Sequence, residues 1–263
     1  MNRAVIKLPG TLQCREVMAD AAAAAYQWDG KRFPTAGMLL DAPVSGTIYG
    51  TLLNFRGELD ALGEAMHAPP YQKPPKAPVL YMKPANTVIG NGMAIPVPDG
   101  VDTLQAGAAL GIVIGRAACR IRPEQALDYV AGYTIVNDVS IPHASYYRPA
   151  IKEKCRDGFC PVGPWVIARE AVQDPGRLRI RVYVNGELKQ ENTTANLVRG
   201  VPQLLADVTE FMTLHPGDVL LAGVPENAPL IRPGDEVRIE IEHVGVLANP
   251  VRREQDAAKE VVR

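Results

Sequence analysis

Residues 131–164 read AGYTIVNDVSIPHASYYRPAIKEKCRDGFCPVGP. Apolar alternation through Tyr133, Ile135 and Val136 predicts a strand that stops at Asn137 and Asp138. The chain then runs irregularly past Pro142 and Pro149 and regains an extended, apolar character from Pro161 to Ile167. Side chains on a long polar connection between two buried strands are free to face a ligand, so such connections often hold chemistry. This one carries a carboxylate, a histidine, two tyrosines and several cations.

The flanking sequence has the same texture. SGTIYGTLLNF alternates just after Val44, residues 79–82 form a short apolar strand, and residues 108–114 are an almost unbroken run of small and β-branched side chains. Such a run reads as a strand buried on both faces. Helical signals are fewer. Residues 123–130 have proline in a first-turn position, and in 201–212 the side chains of Leu204, Leu205, Val208, Phe211 and Met212 line one face. The 23 prolines and 23 glycines fall in turns such as KPANTVIGNG, HPGD and RPGDEV, as expected for many short strands joined tightly. The predicted fold class is mainly β with a few helices, α+β in arrangement. Residues 1–43 read as a small N-terminal segment, with MADAAAAAY as a short helix, and residues 44–263 as the main domain. The Pro-rich stretch HAPPYQKPPKAP reads either as a stiff surface connection or as a lid over a ligand.

Composition excludes several classes. With 263 residues, 47% hydrophobic and 22% charged, the chain can bury a full core. A net charge of −1 with interspersed signs provides no basic stripe for phosphates, so nucleic acid is not an expected partner. No apolar run reaches the ~18 residues that span a bilayer, and the opening MNRAVIKLPG has no apolar signal core. Cys14, Cys119, Cys155 and Cys160 form no CxxC pair, which points to a reduced, cytoplasmic protein.

Several motifs then carry a resemblance. YMKP at 81–84, GYTIVNDVS at 132–140, KCRDGFCPVGP at 154–164, VNGE at 184–187 and FMTLHPGDVLL at 211–221 resemble the fumarylacetoacetate hydrolase family, in that family's order, over about residues 46–251. Within the family, LNFRGELDA, HAPPY, PPK, KPANTVIG, YYRPAIK and KCRDGFCP are most similar to the N-terminal half of the bifunctional isomerase/decarboxylase of 4-hydroxyphenylacetate (homoprotocatechuate) degradation. The two halves of that enzyme are separate subunits in some bacteria, so the resemblance implies a free-standing subunit of the N-terminal type.

The resemblance further implies a β-roll, a dimer, and a divalent metal held by two glutamates spaced E-x-E on one strand and by the aspartate of NDVS. Here that strand reads GAALGI, with Gly107 and Ala109 in the glutamate places, and only Asp138 keeps a ligand position. A hard cation such as Mg²⁺ requires a near-octahedral set of oxygens, so no tightly bound cofactor is expected. Mg or Mn enters only if a partner subunit supplies the site. Other family features are also replaced: Glu58 takes a histidine position, AGVP at 222–225 replaces TGTP, and Ser140, Ile141, Pro142 and His143 replace SARD.

Lys154, Asp138, Lys83 and His143 remain as candidate catalytic residues. Lys154 and Lys83 would act as cations that stabilise an enolate, with Asp138 or His143 shuttling the proton. Each has a plainer reading: a solvated cap for Lys83, backbone hydrogen bonding for Asp138, a solvated charge run for Lys154 and a loop position for His143. Arg148, Tyr146 and Tyr147 suit an anionic substrate but equally suit surface packing. His67, His215 and His243 are assigned to structure, and Cys155 and Cys160 are read as small packing residues.

Three functions follow from the resemblance. In the first, the chain is a subunit of a 5-oxopent-3-ene-1,2,5-tricarboxylate decarboxylase / 2-hydroxyhepta-2,4-diene-1,7-dioate isomerase acting on a small di- or tricarboxylate. In the second it is a catalytically silent scaffold paired with a metal-bearing homologue, and in the third a hydrolase cleaving carbon–carbon bonds of acylpyruvates. The partner is accordingly a second copy in a homodimer or a metal-bearing homologue in a heterodimer.

Overall fold

The computed structural model describes residues 1–143 and 148–261, with side chains described as far as residue 257. It is mainly β, with few helices, as the residue pattern predicts. The uninterrupted apolar run is the central strand Ala108–Ile114, every residue of which is buried. It pairs antiparallel with Val130–Asn137 on one side and with Val219–Leu221 on the other. Ile48–Leu52 and Val79–Lys83 extend the sheet beyond Val219–Leu221, and Cys160–Ala168 extends it beyond Val130–Asn137.

The first forty residues add to this sheet. Asn2–Lys7 pairs with Cys160–Ala168, followed outward by Cys14–Asp20, Ala25–Trp28 and Lys31–Pro34. The alanine run expected to be helical is instead the turn of a hairpin. Asp20 Oδ1 accepts the Ala23 N–H at 3.2 Å, and Ala24 takes a positive φ of 46°. A five-alanine run has high helix propensity but is too short to nucleate a helix alone, so strand pairing that buries Val17, Ala19, Ala25 and Tyr26 wins.

A second sheet, Glu187–Thr193, Arg179–Val184, Glu236–Ile241, Gly245–Arg253 and Ile95–Val97, packs on the first. Ile180, Val182, Ile239 and Leu247 from this sheet share one apolar cluster with Leu110, Ile112, Tyr133 and Trp165 from the other. Trp165 is fully buried there, its indole N–H donating to Val244 O at 2.6 Å. Gly245 lies close against that indole, its φ of 146° being one that side chains rarely adopt. The opposite face of the central sheet carries a smaller cluster that includes Ala109, Val136, Val162 and Leu221.

Both helical signals are realised with adjustments. Residues Pro123–Tyr129 wind as a 3₁₀ helix, and Val201–Phe211 is an α-helix that buries Val201, Leu204, Leu205 and Val208. Phe211, at the helix end, faces outward instead and is 65% exposed. Among the described residues no helix is long and apolar enough to cross a membrane.

Asn91 joins the N-terminal segment to the second sheet. Its buried amide donates to Thr35 O at 3.2 Å and Met38 O at 2.8 Å, and accepts the Ala248 N–H at 3.1 Å. An alanine there leaves these groups unpaired inside the protein, so Asn91→Ala is expected to lower the unfolding free energy by about 1–3 kcal/mol in urea titration.

Candidate active site

Asp138 is the first residue past the strand Val130–Asn137, and the local backbone leaves it little freedom. Its N–H donates to Gly107 O at 2.7 Å, while Gly107 N–H donates to the Asn137 side-chain oxygen at 2.9 Å. Lys83 ends Val79–Lys83, where Pro84 cannot continue the ladder, and Lys154 ends the single helical turn Ile151–Lys154. These three ends meet. Lys83 Nζ lies 2.9 Å from Asp138 Oδ1, and Lys154 Nζ lies 2.7 Å from Asp138 Oδ2, all three side chains being nearly or fully buried. Tyr81, two residues before Lys83 and therefore on the same strand face, donates its hydroxyl to Asp138 Oδ2. Its ring lies over Gly50 of the adjacent strand, where a Cβ would overlap it, and also receives the Lys154 ammonium at 4.8 Å from its centroid.

The two lysines are not equivalent. Lys83 also donates to Val139 O at 3.0 Å and Lys154 O at 2.7 Å, so its ammonium is enclosed by protein acceptors. Lys154 donates to Asp138 Oδ2 at 2.7 Å and lines a cavity of about 190 Å³. The cluster carries two positive charges against one negative, so that wall presents a net positive charge. Burial by itself raises the Asp138 pKa, but the Lys154 and Lys83 charges and the bonds from Lys154 and Tyr81 outweigh it and hold the carboxyl well below the usual range. Tyr81 is pushed well above the ordinary tyrosine value by burial and by the Asp138 charge. Asp138 is thus a fixed counter-charge, with both oxygens committed.

The same cavity is lined by Glu58, from the helix Arg56–Leu62, and by Glu226, from the loop after Val219–Leu221. Glu58 Oε2, Glu226 Oε2 and Thr51 Oγ1 are buried without a hydrogen-bond partner among the described residues. Burial raises the Glu58 carboxyl from 4.5 to about 7, opposed by a backbone hydrogen bond at Phe55 and the Lys154 charge and reinforced by Glu226 and Asp138. A carboxyl raised to about 7 therefore shares a cavity with the Lys154 ammonium.

His143 lines this cavity and a broader, mostly apolar pocket of about 730 Å³ beside it, its Nδ1 lying 2.9 Å from Ile141 O. Arg148 is exposed on the rim of the broader pocket. Tyr146 and Tyr147 lie outside the described residues. Cys160 is buried, with its thiol pushed up to about 12 by burial, and Cys155 is half-buried against Met82 O. His67, His215 and His243 are exposed and do not line the cavity. Sequence reasoning missed Tyr81, Glu58 and Glu226 as site residues. Tyr81 was readable from its i, i+2 relation to Lys83, and Glu58 from the position that the resemblance gives to histidine, but Glu226 stands in a loop with no local signal.

The residues present do not fit a divalent metal. A Cβ at Gly107 would stand 2.5 Å from Asp138 O, so a glutamate there requires the backbone to move. Ala109 is enclosed in an apolar cluster with Val136, Val162 and Leu221. Asp138 already faces two ammonium groups, and among the described residues no group of three or more His, Cys, Asp or Glu is placed to hold an ion.

The chain belongs to the family described as fumarylacetoacetate (FAA) hydrolase C-terminal, which matches residues 47–252. The chain is 46% identical over 213 residues to the 4-hydroxyphenylacetate degradation bifunctional isomerase/decarboxylase of Escherichia coli, covering 81% of this chain and 48% of that one. It thus spans about half the length of that relative. Among solved structures, 2-hydroxyhepta-2,4-diene-1,7-dioate isomerase from Mycobacterium marinum superposes with a TM-score of 0.74 at 28% identity, over 97% of this chain and 99% of that one. Maleylpyruvate hydrolase from Sphingobium sp. SYK-6, in complex with manganese(II) and pyruvate, shares the fold with a TM-score of 0.74 at 24% identity, over 95% of this chain and 99% of that one.

Two stability predictions follow from the charges. Removing the Asp138 carboxylate strands buried ammonium groups, so Asp138→Asn should cost about 3–5 kcal/mol in urea titration, partly recovered when combined with Lys83→Met. Glu58 has a raised folded pKa, so its contribution favours the fold at low pH and is lost as pH rises from its ordinary 4.5 through about 7. Glu58→Gln is therefore expected to melt above wild type at pH 8, and by a smaller margin at pH 5, in thermal denaturation.

Proposed function

We propose that this chain catalyses proton transfer on an unsaturated 2-oxo dicarboxylate, an isomerase-type reaction, without a divalent metal of its own. The observation that carries this reading is the Glu58 carboxyl, its Oε2 buried without a hydrogen-bond partner among the described residues, in the same cavity as Lys154. The isomerase/decarboxylase name of the Escherichia coli relative and the isomerase name of the Mycobacterium marinum structure support it.

The substrate carboxylate and the adjacent carbonyl oxygen lie toward Lys154, drawn by the net positive charge of that wall. The Glu58 carboxylate removes a proton from a carbon conjugated with the carbonyl. The C–H electron pair passes into the conjugated system, and the oxygen that gains charge is stabilised by Lys154. Glu58 returns the proton at a different carbon, which moves the double bond and leaves the enzyme unchanged. Lys83 holds Lys154 and Asp138 in place through Lys154 O and Asp138 Oδ1, and does not touch the substrate. Decarboxylation of a tricarboxylate would bring further negative charge against Glu58 and Glu226, so the dicarboxylate reaction suits the cavity better.

A second reading draws on Gly107 and Ala109: a subunit that works beside a metal-bearing homologue and is itself silent. One assay separates the two. Purified, EDTA-treated protein is incubated in D₂O with a 2-oxo-dienedioate analogue, and deuterium uptake is followed by NMR. Exchange above the solvent rate is expected, with kcat/KM rising with pH to a plateau above about 7. Glu58→Gln should slow it by about 10²–10⁴-fold. Exchange that needs Mn²⁺ and a homologous metal-bearing chain, and that survives Lys154→Ala, would establish the scaffold reading instead.

A further inference from the structure

The loop that carries Glu226 is anchored by one strand of the second sheet, Glu187–Thr193. Gln190, on the second sheet, donates its amide to Glu226 O at 2.5 Å and Pro225 O at 3.3 Å. Asn192, two residues along the same strand, donates to Glu226 Oε1 at 2.9 Å, and the Asn192 oxygen is itself held by the Thr193 N–H at 2.8 Å and the Asn196 amide at 3.0 Å. The carboxyl group then lies directly over Gly57, where any Cβ would overlap it. Gly57 adjoins Glu58 in the helix Arg56–Leu62, a place where alanine would favour the helix by roughly 1 kcal/mol. A helix glycine thus leaves room for the Glu226 carboxylate, and Glu58 Oε2 and Glu226 Oε2 are both buried without a hydrogen-bond partner among the described residues.

We propose that Glu226 is a positioning residue: seated over Gly57 and held by Asn192, its carboxylate keeps a second negative charge beside Glu58 and sets the pH at which Glu58 exchanges its proton. This rests on the reading of Glu58 as the proton carrier. The groups that face Glu58 come from every surrounding element. Glu226 and Asp138 oppose its ionisation, Lys154 favours it, and Tyr81 and His143 complete the walls. Of these, Asp138 has its charge matched by two lysines, so Glu226 is the acid left to act on Glu58. A hydroxyl or enol can donate to Glu58 Oε2 and Glu226 Oε2, which have no hydrogen-bond partner among the described residues.

The test titrates Glu58 itself by ¹³C NMR of protein labelled at the glutamate side-chain carboxyl carbon, with the Glu58 signal identified by its loss in Glu58→Gln. Wild type should titrate near the raised value of about 7. In Glu226→Gln, which keeps the Asn192 contact, the midpoint should fall by about one unit, and the rising limb of deuterium exchange should move with it. Gly57→Ala, which displaces Glu226 without removing its charge, should shift both in the same direction and decides the matter if Glu226→Gln does not fold. An unmoved midpoint in a folded variant overturns the role of Glu226. Undiminished exchange in Glu58→Gln would overturn the functional reading instead, and the NMR midpoint would still decide whether Glu226 governs Glu58.

Discussion

One carboxylate held between two ammonium groups organises this protein. Neither lysine could be buried alone, since an isolated charge in a protein interior costs several kcal/mol. Asp138 makes both burials possible, and the backbone carbonyls of Val139 and Lys154 complete the shell around Lys83. The consequence is geometric as well as electrostatic. The ends of Val79–Lys83, Val130–Asn137 and Ile151–Lys154 are drawn to one point, and the irregular connection that carries Lys154 is pinned there. Because Lys83 consumes its donors internally, it fixes the cluster, and among the described residues Lys154 is the lysine that lines the cavity.

Much of the sheet was legible from residue pattern because the responsible forces are local or periodic. Ala108–Ile114 reads as a doubly buried strand for the reason it is one: both its faces meet apolar clusters. The helix Val201–Phe211 reads from its apolar stripe, although one member of that stripe, Phe211, is left outside. The alanine run was misread because propensity favours helix there, whereas the pairing of Cys14–Asp20 with Asn2–Lys7 is a long-range fact that no local window contains.

The site was legible to a different degree. Asp138, Lys83 and Lys154 stand in recognisable motifs, and the structure brings all three within hydrogen-bond distance. What pattern could not reveal is the division of labour between the lysines, which depends on which carbonyls surround each ammonium. Nor could it reveal Glu226, since the neighbour that matters, Gly57, is far away in the chain and contributes only by lacking a side chain.

The absent glutamates at positions 107 and 109 and the carboxyl group at position 58 are linked by electrostatics. A divalent cation in this cavity would lie near Glu58 and hold it ionised, abolishing its ability to exchange a proton near neutrality. Conversely, with Gly107 and Ala109 in place, the positive field is reduced to the single excess charge of the lysine pair, and burial dominates the titration of Glu58. A glutamate introduced at position 107 while Glu58 is kept would set a further side chain against the Asp138 backbone, since a Cβ there stands 2.5 Å from Asp138 O.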